Sequence, residues 1–156
     1  MGVAGSGKSF IGRMLAAERG WRFVDADDYH SRSSIMKMRS GVPLEDADRE
    51  PWLESLRQVV ARAVDRREHL VVACSALKER YRDVLRAGLR QVRFVHLVAD
   101  EATLKRRLEL RADHFAGVAL LDSQLSALEP PADALRIDAT CPPDRIVAAI
   151  RRELGI

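Results

Sequence analysis

The stretch Gly2-Val3-Ala4-Gly5-Ser6-Gly7-Lys8-Ser9 decides how this chain is read. It matches G-x-x-x-x-G-K-[ST] at every fixed position and adds a third glycine, Gly5. The chemistry explains the spelling. Glycines let the backbone curl so that successive N–H groups point at phosphate oxygens, and the helix that follows presents its positive N-terminal end. Lys8 then reaches the β- and γ-phosphates, and the Ser9 hydroxyl coordinates Mg²⁺. A glycine-rich turn before an ordinary helix is the plain alternative, but a chance match at all these positions is rare at ordinary residue frequencies.

Such a loop joins a buried strand to a helix. The helix is legible downstream, where Ile11, Met14 and Leu15 recur at helical spacing and Gly20 supplies a stop. The strand is not, because Met1 alone cannot build an element of about five or six residues. The expectation is therefore a domain truncated by its written start, with a stretch of about five apolar residues encoded in frame just upstream. The first strand normally lies in the middle of the sheet, so its loss would leave neighbouring strand edges unpaired.

Farther out, Phe23-Val24 leads into Asp25-Ala26-Asp27-Asp28, and a polar segment with Ile35, Met36 and Met38 closes at Gly41-Val42-Pro43. A long amphipathic helix follows through Leu53, Leu56, Val59, Val60, Ala63 and Val64. Leu70-Val71-Val72-Ala73 and the run over 92–98 have the continuous apolar character of strands buried on both faces. Helices are expected over 77–85, 104–108 and 120–128, then a short strand at 135–137 and a closing helix through Ile146, Val147, Ile150 and Leu154. Strands alternating with helices mean βαβ units, hence an α/β domain with a parallel sheet between two helical layers. With the opening motif this is the three-layer P-loop fold, its first, central strand missing, and ligands belong at the carboxyl ends of the strands.

A length of 156 residues suits one domain, with 47% hydrophobic and 31% charged residues in the globular range. No apolar run reaches the roughly 18 residues of a membrane span, and no charged-then-apolar leader opens the chain. Cys74 and Cys141 lie far apart without metal-ligand or disulfide spacing, so reduced thiols in a cytoplasm are expected. The net charge of +3 is scattered along helices, and only 5% of residues are aromatic, which argues against nucleic acid as a partner. Only four of the 26 cations are Lys, and two of these, Lys8 and Lys78, fall within motifs.

The pair Asp25 and Asp27 sits at the strand end facing the phosphates. One carboxylate can hold a water of the Mg²⁺ shell while the other accepts a hydrogen bond or proton from a substrate hydroxyl; capping of a helix N-terminus is the alternative. The buried run at 70–73 leads into Cys74-Ser75-Ala76-Leu77-Lys78, small residues that let a substrate approach the backbone. Lys78 and Arg82, four apart on one helix face, can bind an anionic group. Cys74 reads as a small core residue rather than a nucleophile, since nothing nearby marks an activating base.

The runs FVDADDYH (23–30), GVPLEDADREPWL (41–53), CSALKERYRD (74–83) and SQLSALEPP (123–131), in that order after GVAGSGKS, closely resemble the gluconate kinases of bacteria and animals. These are small P-loop kinases allied to shikimate kinases, and the resemblance covers essentially the whole chain. It implies transfer of the ATP γ-phosphoryl group to the 6-hydroxyl of D-gluconate, with ATP and Mg²⁺ as cofactors, a cytoplasmic enzyme, no membrane partner, and a homodimer as in relatives. Gly2, Gly5, Ser6, Gly7, Lys8 and Ser9 would bind the nucleotide. Ser9 and Asp25 would serve the metal, and Asp27 would meet the acceptor hydroxyl, with either Asp open as the base. His30, Arg49, Lys78 and Arg82 would hold the sugar acid. A lid over about 107–128 would contribute Arg107 to the nucleotide, His114 to the substrate and Arg111 to the transferring phosphoryl group. Cys141-Pro142-Pro143 departs from the family where the adenine should rest. A kinase for another small hydroxy acid, or a non-catalytic nucleotide-binding relative, is the competing reading.

Overall fold

The computed structural model describes the backbone of residues 1–110 and 114–156, and the side chains of 1–110 and 120–156. Helix α1 (Lys8–Arg19) starts directly on the phosphate loop, between Gly7 at φ 88° and Gly20 at φ 65°. Both are left-handed conformations that glycine adopts without steric cost. There follow β1 (Arg22–Asp25), a 3-10 turn (Ala26–Tyr29), α2 (Arg32–Arg39), α3 (Asp46–Asp65), β2 (Leu70–Ala73) and α4 (Glu79–Arg86). Then come β3 (Val95–Val98), α5 (Glu101–Glu109), α6 (His114–Ala127), β4 (Leu135–Asp138) and α7 (Pro143–Leu154).

Three elements differ from the sequence reading for local reasons. The polar segment before Gly41 forms α2, started by the Ser31 hydroxyl, which accepts the Ser34 N–H at 3.1 Å. The apolar run over 92–98 is strand only from Val95, because Val92 turns its N–H back to the Leu89 carbonyl. Helix α3 begins seven residues before its first expected apolar position, Leu53, on a capping box between Glu45 and Asp48.

β1 pairs in parallel with β2, and β3 in parallel with β4. The two pairs meet through the first two residues. The Met1 amino group donates to the Val95 carbonyl, Leu97 N–H donates to the Met1 carbonyl at 3.0 Å, and Gly2 N–H donates to the Ser75 carbonyl at 3.2 Å. Below that bridge a cavity of about 370 Å³ separates the facing edges of β2 and β3, lined by Val71, Val72, Phe94, Val95, Leu15 and Ile150.

Among the described residues three cores hold the layers. Ile11 and Leu15 of α1 pack with Ile146, Val147 and Ile150 of α7 on one face of the strands. Trp52, Leu53 and Leu56 of α3 pack with Tyr81 and Leu85 of α4 on the other. Val3 of the phosphate loop joins Leu77, Leu104, Leu108 and Leu121 in the third, so the loop rests on α5 and α6. Among the described residues no helix is long and apolar enough to cross a membrane.

His96 lies on β3 and is 8% exposed. Burial, then the Met1 ammonium and the guanidinium groups of Arg136 and Arg82, bring its pKa down from 6.5 to about 4. The unfolded chain therefore binds a proton at pH 6.5 that the folded chain refuses until about pH 4, and stability falls as pH drops through that window, by up to about 3 kcal/mol. Urea unfolding at pH 7 and at pH 4.5 should show this loss in the wild type and a smaller one in His96→Leu.

Candidate active site

The phosphate loop is built by close approach of backbone. A Cβ on Gly5, at φ 80°, would come within 2.9 Å of the Leu104 carbonyl oxygen, and one on Gly2 within 2.7 Å of that of Leu97. Ser6 is buried, its hydroxyl donating to the Val3 carbonyl at 2.8 Å, and the Lys8 ammonium donates to the same carbonyl at 2.9 Å. No side chain caps α1, and its first turn carries no acid. Its N-terminal N–H groups therefore fit an anionic phosphate, which supplies the charge that a capping side chain would otherwise bring.

Asp25 ends β1, and its carboxylate accepts the Asp27 N–H at 3.2 Å, so it also caps the 3-10 turn. Trp52 anchors that turn from α3: its indole N–H donates to the Ala26 carbonyl at 2.7 Å, and its ring stacks on His30 at 4.6 Å. Burial, and then the neighbouring Asp25 carboxylate, raise the Asp27 pKa above the usual carboxylate range, partly offset by Lys8 and His30. The His30 imidazole is pushed down by burial, and its Nδ1 is buried with no hydrogen-bond partner among the described residues. Among those residues no group of three or more Asp, Glu, His or Cys side chains could hold a metal.

A second cavity, of about 430 Å³, opens between the start of α3, the segment after β2 and the last turns of α6. Arg49, Lys78, Asp46, Tyr81 and Gln124 are among its walls. Asp46 organises it: its carboxylate takes the Lys78 ammonium at 2.9 and 3.0 Å, the Tyr81 hydroxyl and the Arg80 guanidinium. Arg49, Lys78 and Arg80 all lie within 6 Å of the Tyr81 ring centre, at 5.9, 5.7 and 5.4 Å. Arg49 and Lys78 on the cavity wall, balanced in charge by Asp46 and Glu45 beside them, are two cations that can pair with a carboxylate ligand.

Arg82 does not join Lys78 there. Lys78 is the extended N-cap residue of α4, outside the helix, so the two share no helical face. Arg82 turns inward, 4% exposed, and donates to the Ala76 and Leu77 carbonyls, both at 3.0 Å. It holds the shape of the segment bearing Lys78 and does not line the cavity. Arg107 spans the other side of the loop, donating to the Gly5 carbonyl at 3.4 Å and the Ala139 carbonyl at 2.7 Å. Arg111 lies outside the described residues, as does the side chain of His114. Cys74 is buried and its thiol is pushed up by burial to about 11, as befits a core residue.

Asp46, Tyr81 and Gln124 were not singled out in the sequence, although each lies in or beside a distinctive run. Gln124 faces both halves of the site: it lines the cavity, and its amide oxygen accepts the Ala4 N–H of the phosphate loop at 2.6 Å.

A family model described as "AAA domain" matches residues 1–131. The chain is 46% identical over 142 residues to the thermosensitive gluconokinase of Escherichia coli, covering 88% of this chain and 76% of that enzyme. A solved sugar kinase from Janibacter superposes with a TM-score of 0.91 at 41% identity, over 100% of this chain and 92% of the other. A gluconokinase from Sinorhizobium meliloti does so at 0.85 and 37% identity, over 99% and 93%. With a phosphate loop, an acidic strand end and a cavity lined by Arg49 and Lys78 in one P-loop fold, and with these relatives, the chain belongs to the gluconokinase family.

Proposed function

We propose that this protein transfers the γ-phosphoryl group of ATP to the 6-hydroxyl of D-gluconate, giving 6-phosphogluconate and ADP. The observation that carries the reading is the polar cavity beside the phosphate loop, where Arg49 and Lys78 meet on the wall ordered by Asp46. A sugar acid brings one carboxylate and a row of hydroxyls, and that wall offers fixed cations with acceptors between them.

The backbone amides of the loop and Lys8 would hold the phosphates of ATP, with Arg107 fixing the loop's outer side. Ser9 and Asp25 would hold Mg²⁺, whose charge offsets that of the β- and γ-phosphates when it is bound. Asp27 would accept the proton of the acceptor hydroxyl, a role helped by a pKa lifted toward the working pH. Arg49 and Lys78 would orient the sugar acid by its carboxylate. His30, stacked on Trp52, would border the acceptor, with His114 contributing from α6. A lid over 107–128 would supply Arg111 to the transferring phosphoryl group and exclude water. The reaction suits a single cytoplasmic domain, acting alone or as a homodimer.

A coupled ADP-release assay on gluconate, shikimate and nucleoside monophosphates tests the assignment. Turnover on gluconate is expected, and brisk turnover on another acceptor with none on gluconate would overturn it. Lys78→Ala should raise the KM for gluconate about tenfold or more, since a charge-assisted contact is lost, while the KM for ATP stays within about twofold.

A further inference from the structure

We infer that Gln124 is a substrate-positioning residue that ties the acceptor to the phosphate loop, its amide oxygen holding the loop and its amide NH₂ donating to the sugar acid. The inference rests on gluconate being the acceptor. Ala4 N–H is a donor, so only the oxygen of Gln124 can meet it, and the 2.6 Å contact fixes which way the carboxamide faces. The NH₂ branch, carrying two donors, makes no hydrogen bond among the described residues. Gln124 is half-buried and shares the cavity wall with Arg49, Lys78 and Tyr81. A neutral donor in that position complements the two cations, which attract a carboxylate but do not by themselves fix the orientation of a flexible polyol chain.

The surrounding segment keeps Gln124 in place. Its helix packs Leu121, fully buried, against Val3 of the loop core. Five residues after Gln124, Glu129 N–H donates to the Leu77 carbonyl at 2.9 Å, and the Glu129 carboxylate accepts the Glu79 N–H at the start of α4. The end of α6 is thus pinned to the phosphate loop on one side and to the Lys78 segment on the other. Gln124 reaches both the loop and the cavity.

Steady-state kinetics of Gln124→Glu and Gln124→Met, alongside the wild type, test this. Gln124→Glu keeps an acceptor for Ala4 N–H but replaces the donor with an oxygen. Its KM for gluconate should rise about tenfold or more, with the KM for ATP within about twofold, and the rise should persist at about 0.5 M salt, where charge repulsion beyond contact is screened. Gln124→Met loses both bonds and should raise both KM values. A gluconate KM for Gln124→Glu within about twofold of wild type, an equal rise in both KM values, or a rise abolished by salt would overturn the inference. If Gln124→Glu does not fold by thermal melt, Gln124→Asn replaces it: one methylene shorter, it cannot span loop and cavity, and unchanged kinetics for both substrates would refute the role. Failure of wild-type turnover on gluconate would instead sink the functional assignment, which separates the two.

Discussion

Asp27→Asn is expected to lower kcat on gluconate by about 10²–10⁴-fold while leaving ATP affinity within a few-fold, the result of losing the proposed general base while keeping its hydrogen-bonding shape. The geometry is specific to this residue. Asp25 spends one carboxylate oxygen on the Asp27 N–H, whereas the Asp27 carboxylate is the one that burial and its neighbour raise above the ordinary range. The proposed base works deprotonated. A raised pKa therefore moves the acid limb of the kcat/KM profile to higher pH than an ordinary carboxylate would give. Asp25→Asn removes the second-largest cause of that shift, so the limb should move back toward lower pH in whatever activity remains. Asp27→Asn retaining more than about a tenth of wild-type kcat would assign the proton to another group.

The phosphate loop, the α/β alternation and the acidic end of β1 were all legible in the sequence, because each has a local cause: glycine torsions, residue periodicity, carboxylates beside a strand end. The acceptor cavity was only half legible. The spacing of Lys78 and Arg82 suggested one cationic face, but spacing implies a shared face only within a helix, and Lys78 sits outside α4 in extended backbone. Asp46 and Gln124 escaped notice because their roles depend on partners 32 and 120 residues away in the chain. An acid in the first turn of a helix and a polar helix residue look ordinary until the fold brings those partners to them.

Lys8→Met is the other large effect: kcat should fall about 10²–10³-fold, the scale of removing one fixed donor from the charge developing in a transition state. Its two roles can be separated through Asp27. Lys8 is among the groups that lower the Asp27 pKa against burial and Asp25, so removing its charge lets that pKa rise further. The residual activity of Lys8→Met should therefore show an acid limb at still higher pH than wild type. Lys8→Arg keeps the charge and should leave the limb near its wild-type position, even where the larger guanidinium fits the loop poorly and turnover is low. A Lys8→Met profile with an unshifted limb would mean that Lys8 acts on the phosphates alone, without electrostatic coupling to the proposed base.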